Sequence, residues 1–194
     1  IITPQSNKPK ELPDFTARFS TCRQTFSENR LTAMAYFSSR GLSEQTALKN
    51  RIGLYRDKER GIAIAYPCER LVDGCWQVVG INRRFLDAKQ VKEMIEKAET
   101  EEEKKKIRRS YPKTKVLSKW GAYRLRRIKG AKALLVIEGE ENSQSVWQAA
   151  RANGWPCDVT SVGSQGNFKS LRDDITTLAS DYQHLLIWTD EQRI

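Results

Sequence analysis

The sequence predicts an α/β chain: an α+β amino-terminal part followed by a parallel sheet with helices on its faces. Three observations predict it. From Ala133 onward the polarity pattern alternates strand, helix, strand, helix, strand, the order that builds parallel sheets. Two of those strands, Ala133-Leu134-Leu135-Val136-Ile137 and Leu185-Leu186-Ile187-Trp188, are uninterrupted apolar runs of the kind buried on both faces of such a sheet. Upstream, Gly61 to Tyr66 and Trp76 to Leu86 read as strands joined through Asp73-Gly74, a strong hairpin signal.

Taken in order, residues 1–27 read as a linker or extension, since the first thirteen carry three prolines and no hydrophobic period. A helix is expected from Glu28 to Phe37, stopped at Gly41, and a second from Ser43 to Asn50 with Ser43 as its cap. Strands follow at 52–55, 61–66 and 76–86. Residues 88–109 are dominated by Glu and Lys around a thin apolar stripe of Val91, Met94, Ile95, Ala98 and Ile107, which predicts one solvated helix leaving the sheet. Its basic run Lys104 to Arg109 reads as a wet face. In Tyr123 to Lys129 charge alternates with apolar residues, so one side can pack while the other presents cations. The closing alternation is strand 133–137, helix 142–153, strand 157–162, a Gly-rich turn, helix 170–180 and strand 185–189.

Composition narrows the partners. Thirty-four Lys and Arg against 24 Asp and Glu give a net charge of +10, which favours a polyanion, nucleic acid or nucleotide first. The 39% hydrophobic content suffices for a core. Four dispersed cysteines and one histidine, His184, do not make a zinc pattern, and the cysteines read as small apolar fillers. With no signal peptide, no apolar run of membrane-spanning length and no disulfide framework, the chain reads as intracellular, without a membrane partner. It starts at Ile1 and stops just after an acidic strand end, so it reads as an excised fragment, truncated at its C-terminus.

Each long apolar strand delivers acids at its carboxyl end: Glu138 and Glu140 after the first, Asp190 and Glu191 after the second. Ligands in parallel sheets bind at that edge, so adjacent strands would aim Glu138 and Asp190 at one place. Acids at such positions also cap helices and favour the positive end of the helix dipole. The pair shifts the balance toward a cation, and oxygen-only ligands suit Mg²⁺ or Mn²⁺.

Together these features resemble the RNA-polymerase core of bacterial and phage-type DNA primases, whose catalytic half is a TOPRIM domain. Tyr36-Phe37-Ser38-Ser39-Arg40-Gly41-Leu42-Ser43 is similar to the family's Y-L-x-x-R-G-[IL]-[ST] helix end. Ala65-Tyr66-Pro67 with Val79 to Asp87 is similar to its paired strands, and Lys115-Val116-Leu117-Ser118 to its K-Y-L-x-S segment. Leu134 to Glu140 resembles the first TOPRIM motif, Ser161-Val162-Gly163-Ser164 its V-S-x-G turn, and Leu185 to Asp190 the strand carrying D-x-D. The likeness runs from about residue 28 to the end, in the family's order. It implies a basic subdomain over 28–129 and a TOPRIM-like parallel α/β sheet over 130–194.

The resemblance also implies a chemistry: joining ribonucleoside triphosphates into short RNA primers on a single-stranded DNA template, in the cytoplasm of a bacterial or phage-infected cell or in an organelle. Glu138 and Asp190 would hold Mg²⁺ or Mn²⁺, with Glu140 or Glu191 as supplementary ligands. Arg84 and Lys115, with Arg83 and Lys113 as close substitutes, and Arg124 in the basic stretch, would contact template or triphosphate. A replicative helicase, fused or separate, is the implied protein partner. Two positions depart from the pattern: Asn142 stands where many members have Asp, and Gln192 where D-x-D has its second Asp. A neutral amide lacks the charge that retains Mg²⁺, so a primase-like module that binds single-stranded DNA without catalysis is the alternative reading. A TOPRIM nuclease is the third.

Overall fold

The computed structural model describes residues 12–112, 114–116 and 121–189. Its elements in chain order are α1 (Thr16–Glu28), α2 (Arg30–Ser39), α3 (Glu44–Lys49), β1 (Gly53–Asp57), β2 (Gly61–Val72), β3 (Cys75–Phe85), α4 (Ala88–Lys97), α5 (Glu101–Ser110), β4 (Thr114–Val116), β5 (Tyr123–Arg124), β6 (Ala133–Ile137), α6 (Glu140–Ala152), β7 (Cys157–Ser161), α7 (Arg172–Ala179) and β8 (His184–Trp188). They form two four-stranded sheets, β1-β2-β3-β4 and β5-β7-β6-β8. The first is antiparallel throughout. In the second, β6 is central and parallel to both β7 and β8, and β5 adds antiparallel to β7, so the sheet is mixed rather than wholly parallel.

Local chemistry explains most boundaries. The β2–β3 hairpin turns at Asp73-Gly74, both at positive φ (49° and 78°), the geometry that Asp-Gly supplies. Ser43 caps α3 by accepting from the Thr46 amide. The expected single helix over 88–109 is broken into α4 and α5 because Thr100 and Glu103 form a capping box that starts a new helix. Where this hairpin leaves the sheet, Arg60 grips both carboxylate oxygens of Asp87 (2.8 and 2.5 Å) and lies over the Phe85 ring.

The stretch expected as linker up to residue 27 instead contains α1. Its Phe19, Cys22 and Phe26 are buried, and the Phe15 amide bonds to the Val78 carbonyl at 2.8 Å. The apolar positions 15, 19, 22 and 26 fall on one helical face, which is the physical reason for the correction. The expected boundary at residue 130 moves too, since β5 belongs to the second sheet.

One core unites the halves. Ile64 and Tyr66 of the first sheet, Phe26, Phe37 and Ala47 of the helices, and Tyr123, Ile137, Trp147 and Val159 of the second half form a single buried cluster. The Trp147 indole donates to the Arg126 carbonyl at 2.6 Å, and the Tyr66 and Tyr123 rings meet edge to face. The outer face of the second sheet packs on α7 through Leu134, Val136, Leu171, Ile175 and Leu178. Strand β8 departs from the expectation of burial on both faces: it flanks β6 on one side, and Leu185 to Trp188 are each 43–57% exposed because α6 and α7 cover the central strands.

Candidate active site at the carboxyl edge of the second sheet

Parallel pairing of β6 with β7 and β8 brings three strand ends to one edge, and Glu138 is the first residue past β6. Gly139 is extended (φ −107°, ψ 145°) and leads into α6, whose first residues are Glu140 and Glu141. The Ser161 hydroxyl, at the end of β7, donates to the Glu138 carbonyl and accepts from the Gly163 amide, each at 3.1 Å. This stitches the V-S-x-G turn to the acid-bearing turn.

The three glutamates have different surroundings. Glu138 is partly buried, and among the described residues its carboxylate has no hydrogen bond or ion pair. Glu140 accepts from the Asn82 amide nitrogen at 2.5 Å, and burial pushes its carboxyl above the usual range, with the Asn82 bond opposing. Glu141 is buried and sits among three partners: the Tyr36 hydroxyl donates to Oε1, Arg84 Nε lies 2.7 Å from the same oxygen, and Arg40 Nη2 forms an ion pair 2.9 Å from Oε2, which accepts no hydrogen bond among the described residues. Burial, reinforced by Glu141, pushes the Tyr36 phenol up to about 12.

Two predictions arise here. At Gly163, φ is +79°, and a Cβ would lie 2.7 Å from Asn82 Nδ2 and 3.0 Å from Glu140 Oε1. Gly163→Ala therefore meets both backbone strain and a clash, and a loss of about 1–3 kcal/mol is expected in chemical denaturation. Glu140→Gln is expected to raise Tm at pH 7. The sign follows from linkage. A carboxyl raised in the fold binds its proton more tightly there, so the native state loses stability as pH climbs from the unfolded value, about 4.3, through the folded one. The amide escapes that loss, so the gain should vanish below about pH 4 in a Tm–pH series.

The sequence-predicted residues divide as follows. Glu138 and Glu140 share the edge. Asp190, Glu191 and Lys113 lie outside the described residues, as does Gln192. Arg84 reaches the edge through Glu141 with a third of its side chain exposed. Arg83, its neighbour on β3, projects to the opposite face: it is buried over the Tyr55 ring with Asp57 at 3.5 Å, which removes it from the expected phosphate contacts. Lys115 is the β4 register partner of Arg83. Arg124 stacks 3.5 Å over Trp76 and faces Glu69 at 3.8 Å. Tyr123 is core, its hydroxyl donating to the Asn50 carbonyl. Sequence reasoning missed Asn82, Arg40 and Glu141 as site residues; Arg40 and Asn82 fall within the matched Tyr36–Ser43 and Val79–Asp87 segments, whereas Glu141 carried no signal.

As a divalent-cation site this edge is incomplete among the described residues, where no three acids, cysteines or histidines converge. The donors that are present fit Mg²⁺ or Mn²⁺ in kind: the Glu138 carboxylate and the buried Asn82 Oδ1, neither with a hydrogen bond among the described residues, and Glu140.

No protein-family profile and no curated protein matches the chain. Solved structures do. The DnaG catalytic core superimposes with a TM-score of 0.56 at 16% identity, covering 91% of this chain and 60% of that one. The E. coli primase catalytic core gives a TM-score of 0.52 at 15% identity, with 91% and 61% covered. The fold is that of a primase catalytic core. The chain spans about 60% of the length of those solved cores, and at this identity the likeness is one of architecture. In this primase-core fold the Arg40 of the Tyr36–Ser43 helix end grips the opening turn of α6, joining the helical subdomain to the acid-bearing edge. No helix among the described residues is long and apolar enough to cross a membrane.

Proposed function

We propose that the chain is the catalytic core of a DNA primase, which joins ribonucleoside triphosphates into short RNA primers on single-stranded DNA by divalent-metal-dependent nucleotidyl transfer. The observation that carries this reading is the Glu138 carboxylate, without a hydrogen bond or ion pair among the described residues, at the carboxyl edge of a sheet in a primase-core fold. In the reaction a 3′-hydroxyl attacks the α-phosphorus of the incoming nucleotide, the new phosphodiester forms, and pyrophosphate leaves. A bound Mg²⁺ or Mn²⁺ lowers the hydroxyl pKa and offsets charge on the triphosphate. Glu138 and Asp190 would hold it, with Glu140 or Glu191 supplementing them. Arg84 spends Nε on Glu141 and keeps further guanidinium donors for phosphate oxygens. Lys115, Lys113 and Arg124 remain the other candidates for template or nucleotide contacts. A replicative helicase as partner and a bacterial, phage or organellar setting belong to the same proposal.

A second reading is favoured by one observation: Glu141 is consumed by Arg40, Arg84 and Tyr36, and Asn142 beside it is neutral, so α6 adds no further free acid to Glu140. On that reading the chain positions single-stranded DNA without chemistry. Incubation with single-stranded template, labelled ribonucleotides and Mg²⁺ or Mn²⁺ separates the possibilities. Labelled oligonucleotides support the primase, shortened template supports a TOPRIM nuclease, and bound but unaltered template supports the platform.

A further inference from the structure

A cleft of about 350 Å³ lies between the turn after α3 and the segment that follows β5, and its walls are strongly cationic. Lys49, Arg51, Arg124, Arg126 and Arg127 line it together with one acid, Glu69. That acid is 3% exposed and already neutralised, with Arg51 at 2.5 Å and Arg124 at 3.8 Å. Arg127 pairs with Asp158 and Asp181 at 3.3 and 3.5 Å. Lys49 and Arg126 have no carboxylate partner among the described residues, so the cleft keeps a positive surplus.

A second feature points to a ligand. Asn50 lines the cleft and is 1% exposed. Its carbonyl accepts from Tyr123, and its Oδ1 accepts from the Arg126 amide at 3.0 Å, which fixes the amide group so that Nδ2 is the end left over. That nitrogen is buried and donates to nothing among the described residues. A buried donor without an acceptor is costly, and one on a residue that lines a cationic cleft suits an anionic oxygen.

The cleft is not the acid-bearing edge. Tyr123 pairs with Ser161 at the carboxyl end of β7, and the chain then runs back along β7 until the Ile128 amide reaches Asp158 at 2.5 Å. Arg126 and Arg127 therefore lie toward the opposite end of the sheet from Glu138. We infer that this cleft is a second phosphate-binding site that holds the backbone of a nucleic-acid strand away from the catalytic edge. The strand is favoured over a free polyphosphate because the cations come from two separate segments, Lys49 and Arg51 at and after the end of α3 and Arg124, Arg126 and Arg127 at and after β5, with Trp76 beneath Arg124 as an aromatic neighbour. The inference rests on reading the chain as a nucleic-acid-binding protein, not on its catalysis.

The test is fluorescence anisotropy of a labelled single-stranded oligonucleotide with the chain, in EDTA, over a salt series. Lys49→Ala combined with Arg126→Ala is expected to weaken binding about tenfold and to flatten the log K against log salt slope by roughly 1.4, two contacts at about 0.7 each. Asn50→Asp, nearly isosteric, is expected to weaken binding as well, and circular dichroism melts confirm that both variants fold. Unchanged affinity and slope in the folded double variant overturn the site. Inorganic triphosphate distinguishes the phosphate sources: if it binds the wild-type chain and loses affinity in the double variant while the oligonucleotide does not, the assignment to a strand is overturned. Glu138→Gln is expected to keep the oligonucleotide affinity and slope, so failure of the catalytic proposal leaves this result readable.

Discussion

Glu138→Gln is expected to lower primer synthesis by about a thousandfold or more while leaving the fold and oligonucleotide binding in place. The substitution keeps the shape of the side chain and removes only its charge. Because the Glu138 carboxylate has no hydrogen bond or ion pair among the described residues, no contact with them is lost with that charge. What is lost is an anionic ligand for the divalent ion, whose charge stabilisation of the transferring phosphoryl group amounts to several kcal/mol, and about 1.4 kcal/mol is tenfold in rate. The measurement is the yield of labelled primers per unit time in Mg²⁺ and again in Mn²⁺. Equal rates for the two proteins would remove Glu138 from the chemistry.

Glu141→Ala is the second large effect and concerns stability. The carboxylate serves Tyr36, Arg40 and Arg84 at once, and its removal leaves a half-buried guanidinium and a half-buried phenol without their acceptor. Breaking such a partly buried charged cluster is expected to cost about 2–4 kcal/mol, seen as a fall in Tm of roughly 5–12 °C. Arg40→Ala should cost much less, about 0–1 kcal/mol, since nearly half of that side chain is in water. If Glu141→Ala and Arg40→Ala melt alike, the cluster is not what holds α6 to α2 and β3.

Much of this architecture is legible in the amino-acid order because the signals are local. The apolar run Ala133 to Ile137, the Asp73-Gly74 turn and the Ser43 cap each need only near neighbours to act. The same holds for the placement of Glu138 at a strand end. Arg83 and Arg84 mark where this legibility stops. Successive residues of a strand point to opposite faces, and both faces of β3 are covered, so polarity alone could not say which arginine reaches the acid-bearing edge. Glu141 is one of three glutamates within four positions, and what singles it out is the arrival of α2 and β3 from far away in sequence. Asn50 carries no pattern at all, since its importance comes from packing against the Arg126 amide. Helix α1 was hidden differently: the prolines before it dominate the composition of the segment, and polar residues surround the single stripe of Phe15, Phe19, Cys22 and Phe26.

The single cluster that contains Ile64, Tyr66, Ile137, Val159 and Trp147 has a consequence for how the molecule comes apart. Removing either sheet would strand the other's large side chains in water, so there is no economical intermediate in which one half survives alone. The two sequence subdomains are separable on paper yet form one thermodynamic unit. A piece cut at residue 130 would inherit the acids without the scaffold that keeps them poised.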